Sequence, residues 1–145
     1  MKSFWYSKKA MLKQFLFVLA LFAILIPVAI WDSNTQVKVS YSSDAMSVRS
    51  DHYSLTIPYD IIEDVVITDL AELGEEVADG WEDDIVRTGN WRNDTWGEYF
   101  IVADMDADNC VLITLNDGRL FVVSQKNNTA TEEVYNTLLS KLPNP

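Results

Sequence analysis

The chain has 145 residues, with 22 Asp and Glu against 11 Lys and Arg, one cysteine and one histidine. That acidity repels nucleic acid, whose binding depends on neutralising phosphates with Lys and Arg. A lone cysteine excludes an internal disulfide, and also a multi-thiolate metal site within one chain.

The first element is apolar. No charged residue occurs from Phe15 to Trp31, while Lys2, Lys8, Lys9 and Lys13 precede that stretch. Crossing a hydrocarbon core takes roughly 20 apolar residues of helix. The sequence therefore predicts a cytoplasmic tail over 1–9, a single transmembrane anchor over 10–31 and a linker over 32–36. Trp5, Tyr6 and Trp31 fall where amphipathic rings favour the interface, and the lysines hold the N-terminus inside. The domain over 37–142 is then expected on the extracytoplasmic side of the cell membrane. A cleaved signal peptide would carry a shorter apolar core and a small-x-small site, and Pro27-Val28-Ala29 is a poor one. Cys110 lies too far along the chain for a lipoprotein. Setting the four leading lysines apart leaves seven basic residues against all 22 acids, a net charge of −15 beyond the anchor.

Short strands follow. Val37, Val39 and Tyr41 alternate with polar residues, as do Met46 and Val48, and then Tyr53, Leu55 and Ile57 before Pro58. Ile61 to Ile67 is a further apolar stretch. Asp69 to Asp84 is dense in acids and reads as a solvated loop, with Leu70, Leu73 and Val77 at helical spacing. Trp81, Trp91 and Trp96 come next, separated by Gly89 and Gly97. Glu98 to Ala103, Cys110 to Leu115 and Arg119 to Ser124 read as strands. Asp117-Gly118 is a two-residue hairpin signal that would set Leu115 opposite Leu120 and Ile113 opposite Val122. A helix is expected from Thr129, whose Thr129-Ala130-Thr131-Glu132 fits a capping box. Val134, Leu138 and Leu142 share one of its faces, and Pro143 stops it.

The order of these pieces resembles the bacterial pleckstrin-homology-like domain family. The resemblance rests on Tyr53-Ser-Leu-Thr-Ile-Pro-Tyr-Asp-Ile61, Val65-Val66-Ile67, Arg87-Thr-Gly89, Gly97-Glu-Tyr-Phe100 and the run from Val111 to Val123 before the helix. It implies a mainly β domain of about seven antiparallel strands in a sandwich or barrel, closed by one C-terminal helix. It carries over no catalytic residues. Phosphoinositide binding is not expected, because the turn Ser42-Ser43-Asp44 has no positive charge.

Other chemistry has weak footing. Asp104, Asp106 and Asp108 alternate like a calcium loop, yet Asn109 and Leu115 stand where an EF-hand needs glycine and a bidentate glutamate. No Gly-rich phosphate loop and no Gly-x-Ser-x-Gly motif occurs. His52, beside Asp51, reads as part of a surface turn, and Cys110 as packing. The expectation is a non-enzymatic, membrane-tethered module without metal or cofactor. It would bind a protein partner at the membrane through Trp81, Trp91 and Trp96, since aromatic anchors dominate interfaces. Core packing between sheets is the competing role for Trp91 and Trp96. A sensor of an acidic-site ligand or divalent cation is the alternative function.

Overall fold

Alternation of apolar and polar residues builds the first sheet directly. The computed structural model describes residues 16, 17, 19, 20, 23, 37–82 and 85–143. The chain divides into two units, Met1–Thr35 and Gln36–Pro145. In the first, the described residues are helical and Leu16, Phe17 and Leu19 are exposed. The expected anchor over 10–31 lies mostly outside the described residues, as do the tail and the linker. Among the described residues, no helix is long and apolar enough to cross a membrane.

In the second unit, β1 (Lys38–Tyr41), β2 (Ala45–Arg49) and β3 (Ser54–Pro58) form an antiparallel sheet in that order. Met46, Val48 and Ile57 point inward and are buried. On the other side, the hydroxyls of Ser47 and Thr56 pair across the strands at 3.1 Å. Pro58 has no N–H for a ladder, and the strand ends there in a 3-10 turn over Tyr59–Ile61.

The second sheet holds β4 (Ile62–Asp69), β5 (Glu75–Glu82), β6 (Val86–Asn93), β7 (Gly97–Asp104), β8 (Asn109–Leu115) and β9 (Leu120–Ser124). Its order is β4-β8-β9-β7-β6-β5. All its pairs are antiparallel except β7 with β9, which is parallel from Phe100↔Phe121 to Ala103↔Ser124. The turn after β7 passes the end of β9, where the Ser124 hydroxyl donates to the Asp104 carbonyl at 2.6 Å. The described residues therefore form nine strands in two sheets, neither closed, where about seven antiparallel strands are expected from the sequence. Part of the excess comes from the acidic stretch after Asp69, which forms strand β5 rather than a loop or helical turn. Its side chains are mostly exposed on an edge, so it carries no apolar alternation to betray it.

The last hairpin also departs from expectation by one residue. Leu115 N–H donates to Arg119 O and Gly118 N–H to Leu115 O, both at 2.9 Å. The loop is thus Asn116-Asp117-Gly118, with Gly118 at φ +85°, the left-handed position of a three-residue turn. Ile113 consequently faces Phe121, and Leu112 faces Val122. Because side chains alternate with period two, this slip decides which residues share a face.

Both faces of the large sheet bury apolar side chains. One face joins Val65, Val102, Ile113, Phe121 and Val123 to Met46, Val48 and Ile57 of the small sheet. The helix α1 (Asn128–Lys141) adds Val134 and Leu138 to that cluster. The other face gathers Trp91, Tyr99, Ile101, Cys110 and Val122 beneath Leu70, Leu73 and Met105. The helix is capped by Asn127, whose side chain accepts from Ala130 N–H at 2.8 Å. Thr129 lies inside the helix, so the cap falls two residues before the expected one, and Ala130 at the third helical position leaves no reciprocal capping box. Thr131 instead turns inward, its hydroxyl donating to Asn127 O and accepting from Gln125 N–H, each at 3.0 Å.

Candidate functional site: the tryptophan-bearing edge

Strand β5 ends the large sheet and carries the only candidate tryptophan that is clearly exposed, Trp81 at 44%. Its pairing with β6 is interrupted between Glu76 and Ala78 and again between Ala78 and Trp81. Asp79 sits at φ 52°, and the Glu76 carboxylate folds back to accept from Gly80 N–H at 2.9 Å. This bulge rests on Gly89 (φ +104°), where an added Cβ would lie 2.4 Å from the Asp79 carbonyl oxygen. Only glycine tolerates both that dihedral and that approach.

The register separates the three tryptophans. Trp81 pairs with Thr88, whereas Glu76 pairs with Trp91, so Trp81 and Trp91 lie on opposite faces of the sheet. Trp81 stacks on His52 of the β2–β3 turn with centroids 4.0 Å apart and planes 29° apart. That contact ties the small sheet to the terminal strand of the large one. Trp91 is buried in the core and donates its indole N–H to Thr88 O at 2.9 Å. The Arg87 guanidinium lies 4.9 Å from the Trp91 ring centroid and pairs with Glu82. Trp96 is half-buried and meets Tyr99 edge-on, with centroids 5.2 Å apart. The structure does not bring the three rings together. Trp81 stands apart, exposed and among acids.

Next to this edge is an open depression of about 600 Å³, lined by Glu72, Gly74, Glu75, Arg92, Asn93 and Gly97 among others. Its one cation is already matched, since Arg92 pairs with Glu98 and, at 3.7 Å, with Glu75. The Glu98 hydrogen bond, foremost, holds the Arg92 guanidinium more firmly protonated than usual. At the opposite end of the sheet, Asp104 is buried and accepts from Asp106 N–H at 3.0 Å. Asn128 Oδ1 receives the N–H groups of Asp108 and Asn109 at 2.9 and 3.3 Å. These contacts make the acidic turn a tether for the helix start. Among the described residues, no three His, Cys, Asp or Glu side chains converge to hold a metal ion.

Cys110 is fully buried, and burial pushes its thiol up to about 12. A thiol held protonated is a poor nucleophile, so its chemistry is packing. Sequence reasoning placed His52 on a surface turn but missed its ring partner. Nothing short of the fold could show that residues 52 and 81 meet. No protein-family profile, curated protein or solved structure matches this chain.

Proposed function

We propose that the unit from Gln36 to Pro145 is a non-enzymatic interaction or assembly module, tethered to the cell membrane and displayed on its extracytoplasmic side. The observation that carries the interaction reading is Trp81, a large ring exposed on a terminal strand and braced by His52. A braced aromatic gives contact area at little entropic cost, which is how interface anchors work. The charge change across the apolar stretch at 15–31 supports the tether and its orientation.

The bacterial pleckstrin-homology-like reading is supported by two sheets followed by an amphipathic terminal helix. The parallel β7–β9 pair departs from the antiparallel arrangement that family implies. Phosphoinositide binding is left out of the proposal. Asp44 and Ser42 hydrogen-bond each other at 2.7 Å in the first turn, where a basic loop would be needed.

Crosslinking in intact membranes tests the interaction reading with a matched pair of variants. Trp81→Ala loses only the His52 stack, so it is expected to lower the melting temperature by a few degrees, leave the protein folded and reduce crosslinked adducts at least several-fold. Trp91→Ala removes a buried ring and should cost about 3–5 kcal/mol of stability. Unchanged adducts in a folded Trp81→Ala protein would refute the use of this edge.

A further inference from the structure

Four strands end the two sheets, β1, β3, β4 and β5, and three of them are blunted. Strand β1 has four residues and β3 closes on Pro58. Strand β5 carries two register breaks and the left-handed Asp79. Strand β4 is different. Beyond one irregularity at Ile62/Asp64, it pairs with β8 without a break from Asp64↔Thr114 to Asp69↔Asn109. No strand pairs with its outer side among the described residues. Six regular residues with a free row of backbone donors and acceptors are a template for another strand.

From this difference we infer that the β4 edge accepts an extended, lysine- or arginine-bearing strand of a partner protein as a seventh strand of the large sheet. Backbone bonds supply the affinity in this mode, and alternate side chains the selectivity. Val66, 43% exposed, offers the apolar contact, continued on the same face by its half-buried cross-strand partner Leu112. Glu63, Asp64 and Asp69 are exposed around it and select basic residues. Pairing with a second copy is disfavoured. A second copy would bring the same exposed acids, Glu63, Asp64 and Asp69, to the shared edge, and like charges gathered across paired strands destabilise. The inference rests on the interaction reading but uses an edge separate from Trp81, so either can fail alone.

The test uses the full-length chain and a fluorescent ten-residue peptide alternating lysine with valine. A second peptide of the same sequence is N-methylated at two successive central residues, which blocks both of its edges. The first peptide is expected to bind and to slow deuterium exchange within 64–69, with at least tenfold weaker binding of the methylated form. Val66→Ser, which removes the apolar contact without adding charge, should weaken binding severalfold at unchanged melting temperature, while Val77→Ser on β5 should not alter it. Asp64→Asn with Asp69→Asn, which keeps the backbone edge, should weaken binding severalfold. Equal binding of both peptides would reduce the effect to charge attraction and overturn the proposal. Absence of protection at 64–69 would overturn it as well. Protection appearing with protein concentration alone would assign the edge to a second copy instead.

Discussion

At the level of single residues, Tyr99 is the most constrained polar group of the outer core. Its hydroxyl donates to Leu73 O at 2.6 Å, pinning the segment between β4 and β5 over the sheet. Burial, against a smaller opposing effect of Arg87, pushes its ionisation from 10.0 up to about 12. Cys110 rises from 9.0 to about 12, again chiefly by burial. Both groups keep their protons in the folded state at pH values where the unfolded chain has lost them. Their contribution is therefore complete below about pH 9 and is lost as pH climbs towards 12. Urea unfolding at a series of pH values should show stability falling across that window. Tyr99→Phe should cost about 1–2 kcal/mol at neutral pH, because Leu73 O loses its donor, and should flatten the decline above pH 10.

At the level of elements, legibility followed burial. Strands β1 to β4 and β7 to β9 could be read because one or both faces pack, which imposes apolar alternation or an apolar run. Strand β5 packs against nothing on most of its length, and its eight residues include Glu75, Glu76, Asp79 and Glu82. What makes it a strand is the free edge of β6, a tertiary cause absent from its own residues. Strand β6 was hidden for another reason, since Arg87, Thr88, Asn90 and Arg92 alternate with glycine and tryptophan rather than with aliphatics. The Asp117-Gly118 signal correctly located a turn but not its length, because Asn116 joined the loop and shifted the register. Gly89 is where β5 and β6 depend on each other. Gly89→Ala forces a Cβ towards the Asp79 carbonyl and should cost at least about 1–3 kcal/mol through strain alone. Hydrogen exchange should show faster opening of β5 than of β8 in that variant.

For the whole acidic unit, the balance of charge matters more than any one carboxylate. With a net charge of −15 beyond the apolar stretch, mutual repulsion opposes the compact state. Salt screens such repulsion over about 10 Å at 0.1 M. Raising sodium chloride from roughly 20 to 300 mM should lift the melting temperature by a few degrees. Calcium at equal ionic strength should add little beyond that, since the Asp104–Asp108 turn is engaged with the helix start instead of converging on a cation. A calcium-specific rise would instead favour the cation-sensing alternative, because a ligand bound only by the folded state must raise the melting temperature.

The placement of β9 has one more consequence. This strand, near the C-terminal end of the domain, sits centrally, between β8 on one side and β7 on the other. Until Leu120 to Ser124 leave the ribosome, β4 and β8 can form only a separate ribbon, and β5, β6 and β7 another. Joining the two ribbons requires contacts between residues far apart in the chain, which slows acquisition of the native state. The large sheet is therefore completed by insertion of its central stave last, after all its other strands have been made.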